Sequence, residues 1–263
     1  MNPAEVQSIL ETSSFSGLTG TLRSLLDNQV SVEAWNRWSD GRPRGSVVAL
    51  HPQGELAKGD ESNGQLHERA RLWMQKPWLW RLETQTGPNQ WRVVVIDGPT
   101  WWYWDGGIDA STNAASAVPG TRAGVGLSQS LHAMLRPAEI AKALRLVSPQ
   151  RVTHAGRDAL RVRGVPRDPQ TPVIWPGADE YRLIVDVERG VLLHLGAAVN
   201  GRTIAIDEFE EILFDRPLPA GTFALDAPPE VTIRPDVAPS SRRTIRPRPR
   251  GGWVRGQRGS PAD

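Results

Sequence analysis

The chain has 263 residues, 39% of them hydrophobic and 23% charged, enough apolar material for one substantial domain or two small ones with a well-buried core. It contains no Cys, which excludes disulfides, thiolate metal sites, a cysteine nucleophile and a lipidated N-terminal cysteine. The net charge of +2 is unevenly spread: seven Arg and one acid follow residue 241, so the body carries 24 basic and 28 acidic residues and is mildly acidic.

The first residues show no basic head followed by an apolar run, and no window approaches the length of a membrane span. As written, the chain is expected to be soluble and cytoplasmic, with export the alternative if translation starts upstream. Pro3 to Ser13 reads as a helix, because Asn2 can cap it, Pro3 suits the first helical position, and Val6, Ile9 and Leu10 form one face. Phe15 to Leu26 reads as a strand interrupted by glycine. Val30 to Trp38 is ambiguous: Trp35 and Trp38 suit a helical turn, the valines a strand. Val47 to Leu50 reads as a short strand, and Gln53 to Gly64 as a polar loop.

The densest signal runs from Arg71 to Asp105, which holds seven of the eleven tryptophans. Leu72, Trp73 and Met74 open an extended segment that Lys76-Pro77 bends. From Trp78 to Thr84 the residues alternate, with Trp80, Leu82 and Thr84 on one side and Leu79, Arg81 and Glu83 on the other, the period of a strand with unlike faces. Gly87-Pro88-Asn89 is a turn cluster, Trp91 to Ile96 a strand, Asp97-Gly98 a hairpin turn, and Thr100 to Trp104 the returning strand. An antiparallel meander this rich in indole fits a sheet curled around an apolar space.

Gly106 to Gly126 reads as a long loop, and Leu127 to Leu135 and Pro137 to Val147 as two helices lying across the sheet as a lid. In the second, Ile140, Leu144 and Val147 make the apolar stripe. Strands then resume at Arg151 to Val165 with a turn at residues 155–157, Tyr181 to Val187, Val191 to Val199 and Thr203 to Leu213, the turn spacing of an antiparallel sheet. From Arg234 onward Pro, Arg and Gly dominate, which predicts a disordered tail.

Several segments, in this order, resemble the LolA-like family of periplasmic lipoprotein carriers, whose relatives include RseB-like regulators and mycobacterial lipoprotein carriers. They are Leu72-Trp73-Met74-Gln75-Lys76-Pro77 followed by Trp80-Arg81-Leu82-Glu83, Asp97-Gly98 with Trp102 and Trp104, the turn Asp186 to Leu192, and Phe223-Ala224-Leu225 followed by Pro228-Pro229-Glu230-Val231. The lid helices would lie within Leu131 to Leu146. The resemblance covers residues 3 to 233 and implies a mainly β (α+β) fold. Its core would be a strongly curved antiparallel half-barrel with an N-terminal helix, closed by helices over an apolar cavity. In the family that cavity receives acyl chains or lipids, or serves as a sensor. Residues 1–233 are thus expected to form the domain and 234–263 the tail. The loop from Gly106 to Gly126 and the tail depart from the family pattern.

Trp73, Trp80, Trp91, Trp102 and Trp104 either line a pocket or fill a core. The resemblance adds the lid residues Leu131, Leu135, Ile140 and Leu144 as candidate ligand contacts. Arg81 is either a solvated outer-face arginine or a polar latch to the lid or to a ligand headgroup. Catalytic signals are weak: Ser128 lacks the strand and second glycine of a nucleophile elbow, and His132 reads as a lid surface residue. The five histidines are dispersed without metal-ligand spacing, and Asp207, Glu208, Glu210 and Glu211 read as a solvated edge. The expectation is a non-enzymatic binding protein with no cofactor, taking a lipid or acylated ligand, or alternatively a protein partner. A third reading assigns Arg242, Arg243, Arg246, Arg248 and Arg250, near Trp253, to an anionic membrane surface or nucleic acid.

Overall fold

The computed structural model describes residues 2–40, 64–77, 79–88, 90–115, 117 and 128–235. The expected strand at 47–50, the loop at 53–63, Trp78, Asn89, Gly126 and the arginines of the tail from Arg242 onward lie outside them. The described residues form one open, curved sheet of 12 strands in the order β12-β6-β5-β4-β3-β2-β1-β11-β10-β9-β8-β7, with the helices on one face. This is the mainly β architecture that the sequence predicts.

The chain begins with helix α1 (Pro3–Glu11), closed by a capping box in which Asn2 Oδ1 accepts from Glu5 N at 3.0 Å and Glu5 Oε2 accepts from Asn2 N at 2.9 Å. Val6 and Leu10, one turn apart, are fully buried. Strand β1 (Gly17–Asp27) leads directly into helix α2 (Asn28–Asp40), where Asp27 Oδ1 accepts from Val30 N at 2.9 Å as an N-cap would. The ambiguous segment is therefore helical, with Val30 and Ala34 buried and the rings of Trp35 and Trp38 in contact at 5.4 Å.

The meander follows as β2 (Gln65–Gln75), β3 (Leu79–Gly87), β4 (Gln90–Asp97) and β5 (Thr100–Trp104). Between β4 and β5 the central turn residues are Gly98 and Pro99, and Gly98 takes the positive φ (+58°) that a two-residue hairpin demands there. β6 (Asp109–Thr112) falls inside the stretch read as loop. Pairing supplies what local pattern did not: Thr112 Oγ1 donates to Trp101 O at 2.8 Å, and Asn113 Oδ1 accepts from Trp101 N at 2.7 Å.

Two short helices come next, α3 (Gln129–Leu135) and α4 (Ala138–Ala143). The second ends earlier than its apolar stripe predicts. Leu144 to Val147 already belong to β7 (Leu144–His154), because Leu144, Arg145 and Leu146 alternate buried, exposed, buried, the period of a strand and not of a helix. β8 (Arg157–Pro166), β9 (Glu180–Asp186), β10 (Leu192–Val199) and β11 (Arg202–Phe214) complete the antiparallel run, and β12 (Thr232–Pro235) returns to pair in parallel with β6. Residues 234 and 235, assigned to the tail from composition, are thus part of the sheet.

The core lies between the helices and β1, β2 and β7–β11, and includes Leu18, Leu72, Met74, Leu160, Leu183 and Phe209. Two glycines let loops approach the helices. Gly190 (φ +64°) lies where a Cβ would come 2.3 Å from Ile9 O at the end of α1, and Gly177 (φ +78°) where one would come 2.1 Å from Ala34 O in α2. Both loops hold a helix against the sheet by its backbone.

Candidate functional site

In an antiparallel ladder directly opposed residues share a face, so the register assigns every side chain of the meander. Met74 pairs with Trp80 and Trp80 with Ile96, Leu72 with Leu82 and Leu82 with Val94, Ala70 with Thr84 and Thr84 with Arg92. Ile96 pairs with Trp101 and Val94 with Tyr103. Because Leu72 and Met74 belong to the core beneath the helices, all of these lie on the helix side. Trp73 pairs with Arg81 and Arg81 with Val95, Gln85 with Trp91, Val95 with Trp102, and Val93 with Trp104, all on the outer side.

The five tryptophans expected to act together are therefore divided. Trp80 lies on the helix side, half-buried against the core, while Trp73, Trp91, Trp102 and Trp104 are half-buried on the opposite face. The helix side carries instead Trp101, buried, and Tyr103, half-buried. Both were legible in principle. Once Asp97 pairs with Thr100 across a two-residue turn, parity alone puts Trp101 with Ile96 and Trp102 with Val95.

Leu131, Leu135, Ile140 and Leu144 are no more than 4% exposed and sit in the packed core, Leu144 from β7 and the others from α3 and α4. α3 packs on β10, and α4 on β7 and α1. Two pockets, of ≈370 Å³ and ≈330 Å³, lie away from these residues, one beside Arg69 and Glu210, the other beside Trp38 and Pro166.

Burial on β4 alternates in a revealing way. Val93 and Val95, on the outer side, are 5% and 0% exposed, whereas Val94 between them, on the helix side, is only half-buried. The outer side is closed by the segment that follows β11. Arg81, directly opposite Val95, donates through Nη1 to Ala224 O at 2.7 Å and Thr222 O at 3.3 Å, and its Nε donates to Glu83 Oε1 at 2.7 Å. Arg81 thus bonds the turn at residues 222–224 on the outer face, and not the lid helices. At 15% exposure for its side chain, it is not a solvated arginine either.

On the helix side the meander is unevenly buried. Trp101, Ile96 and Thr84 are buried, while Leu82, Val94 and Tyr103 are half-buried, and of these Leu82 packs against the core. Arg92 is half-buried at the far end, and its buried Nε has no hydrogen-bond partner. The helices pack on β1, β2, β7, β10 and β11, and their principal contacts do not extend to β3–β6.

The acids of β11 do not lie on an edge, since β11 is a central strand between β1 and β10; Glu210 and Glu211 are exposed on it, and Asp207 and Glu208 are half-buried. Asp207 faces the core beside Ser24 and Ser130, a bridge from the sheet to α3, and burial raises its carboxyl pKa against the opposing effect of the two hydroxyls. Glu208, on the other face, bonds His194 Nδ1 at 3.0 Å and pairs with Arg23, which hold its pKa low against desolvation. Burial lowers the His194 pKa, and its ring lies 6.3 Å from that of His154, two histidines far apart in the chain. Among the described residues no group of three His, Asp or Glu is placed to hold a metal. Ser128 caps α3, accepting from Leu131 N at 3.2 Å.

No family model and no curated protein matches the chain. Among solved structures it is similar to a chain of the Pseudomonas aeruginosa MucA/MucB complex, at 14% identity over 88% of this chain and 61% of that one, with a TM-score of 0.46. It is also similar to an uncharacterized conserved protein from Thermus thermophilus, at 11% identity over 88% and 98%, TM-score 0.46. A LolA superfamily protein from Nitrosomonas europaea matches at 10% identity over 84% and 98%, TM-score 0.30. The chain spans 58 to 63% of the length of the chains it matches in the MucB structures.

Proposed function

We propose that this chain is a non-enzymatic binding protein whose ligand, a lipid or acyl chain, lies on the helix side of the meander beside Trp80, Leu82, Val94 and Tyr103. The observation that carries this reading is the alternation of burial at Val93, Val94 and Val95, which leaves Val94, with Leu82 and Tyr103, half-exposed on the helix-bearing face of the sheet while Arg81 ties residues 222–224 to the outer face. Burial of an acyl chain there is worth about 0.8 kcal/mol per methylene, so the site needs little polar chemistry to bind well. Of the residues proposed from sequence, Trp80 remains a direct contact. Leu131, Leu135, Ile140 and Leu144 act through the core that supports the face, and Trp73, Trp91, Trp102 and Trp104 belong to the opposite side. The test is uptake of a fluorescent fatty acid by protein purified without detergent, together with mass spectrometry of an organic extract. Wild type takes up the probe and Val94→Glu does not, with near-ultraviolet circular dichroism showing the fold retained. A wild type that carries no lipid and takes up no probe overturns the proposal.

A protein-binding regulatory or scaffold module of the same fold is the second reading. It is favoured by the way Arg81 holds the turn at residues 222–224 by its backbone carbonyls, a contact that a partner's segment could make in its place. It expects no acyl uptake, and partner binding weakened by Arg81→Ala. The adaptor reading of Arg242 to Arg258 concerns residues outside those described; it expects salt-sensitive polyanion binding that disappears when residues 236–263 are deleted.

A further inference from the structure

The helix side of the meander is not uniformly apolar. It is graded along the strands. At one end Trp80, Ile96 and Trp101 meet across β3, β4 and β5, then come Leu82, Val94 and Tyr103, and at the other end Thr84 and Arg92 stand opposite each other. From Ile96 to Arg92 the strand advances by about 13 Å. The buried Nε of Arg92 has no hydrogen-bond partner, and among the described residues the guanidinium forms no ion pair. The acids nearest to it by register, Glu68 on β2 and Asp105 just beyond β5, are not paired with it.

A cationic side chain of this kind is costly where it stands. A buried donor without an acceptor loses its hydration and gains nothing in return, and replacement by an apolar side chain of similar shape would ordinarily be neutral or stabilising. Arginine is also the side chain best shaped to grip a planar anion through two parallel hydrogen bonds. An unpaired guanidinium closing one end of an aromatic and aliphatic track is complementary to an amphiphile with an anionic head. The tail of such a ligand would run toward Trp80 and Trp101.

We infer that the ligand of this face is an acyl compound with a carboxylate head, held by Arg92. The inference rests on the acyl-binding reading above and adds to it the chemistry of the head. It makes Arg92 a selectivity determinant whose loss leaves the apolar track intact.

Isothermal titration of dodecanoate and dodecanol, each kept below its micellar concentration at neutral pH, tests the inference on wild type and on Arg92→Met. Wild type is expected to bind dodecanoate roughly tenfold or more tightly than dodecanol, the worth of a hydrogen bond to a charged group. Arg92→Met is expected to bind dodecanol as wild type does, to lose the preference for dodecanoate, and to unfold at the same or a higher urea concentration. Arg92→Gln, which keeps a polar head, controls for any change in packing and is expected to lose the preference as well. Equal binding of both ligands by wild type overturns the carboxylate inference and leaves the acyl site standing. A preference that survives in both variants assigns the head to another group and also overturns it. Failure of wild type to bind either ligand overturns the acyl reading itself.

Discussion

The two halves of the sheet solve the same problem in opposite ways. In β7–β11 the helix side is sealed: Leu144, Leu160, Leu183, Leu195 and Phe209 are at most 2% exposed, and the outer side of β8 and β9 carries Arg161, Arg163 and Arg182 in solvent. In β3–β5 burial is divided between the two sides: Val93 and Val95 are buried on the outer side, Thr84, Ile96 and Trp101 on the helix side, and Val94 and Tyr103 on the helix side are only half-buried. Helices cover the first half to make its core, while a crossing segment tied down by Arg81 closes the second. The helix face of the first half is sealed, and that of the second leaves Val94 and Tyr103 half-exposed.

Truncations in the two halves should therefore differ. Phe209→Ala removes a fully buried ring from a central strand and is expected to cost about 3–5 kcal/mol, while Tyr103→Ala, half-exposed on the open face, is expected to cost about 1 kcal/mol. Urea denaturation of both variants measures the gap. Equal costs would mean that the open face is part of the core and would erase the contrast. Next in size is Arg81→Ala, which strands the Glu83 carboxylate and frees two carbonyls, at an expected cost of about 1–3 kcal/mol. Its signature is local: faster amide exchange at Thr232, whose N–H is bonded to Ile108 O at 2.9 Å, with β9 and β10 unaffected. Uniform loss of protection would show the two halves to be one cooperative unit.

The smallest effects are those of pH, and they have opposite signs in two places. Asp207, between β11 and α3, has its pKa raised by burial, so the folded state holds a proton that the unfolded chain releases. Stability falls as pH rises from the ordinary aspartate range through the raised folded value, and Asp207→Asn is expected to remove that fall. Asp215, at the end of β11, accepts from Ser16 N at 2.7 Å, Ser16 Oγ at 2.7 Å and Gly17 N at 3.1 Å, which hold its pKa down to about 2. Its contribution is present above the ordinary aspartate range and is lost as pH falls toward 2, a loss that Asp215→Ala abolishes. Denaturation midpoints across pH, for wild type and both variants, separate the two.

Several errors of sequence reading share one cause. The period of two correctly set Trp80, Leu82 and Thr84 against Arg81 and Glu83, because alternation is local and the strand is regular. Alternation does not carry across the hairpin: Asp97-Gly98 marks a turn, but only the pairing of Asp97 with Thr100 places Trp101, and not Trp102, on the side of Trp80. Leu144 fits a helical stripe or a strand alternation equally well over so few residues, and only the pairing of Leu144 with Pro166 decides for β7. β6 and β12 are four residues each, too short to carry a periodic signal, and exist through pairing, β6 with β5 and β12, and β12 with β6. The charged run on β11 looked like an edge because sequence records composition, while a strand's neighbours are set by distant segments.

What the amino-acid order determines by itself is the local repertoire: which stretches extend, which coil, where the chain turns, and that the fold is built on an antiparallel aromatic sheet. Those properties follow from side-chain spacing, caps and backbone preferences within a few residues. Which partner Arg81 holds, which side chains are buried, and that Arg92 Nε has no partner among the described residues were decided only by the assembled structure. The Arg81 contact joins residues more than 140 apart in the chain, and burial, the quantity that sets such energies, does not exist until separate segments meet.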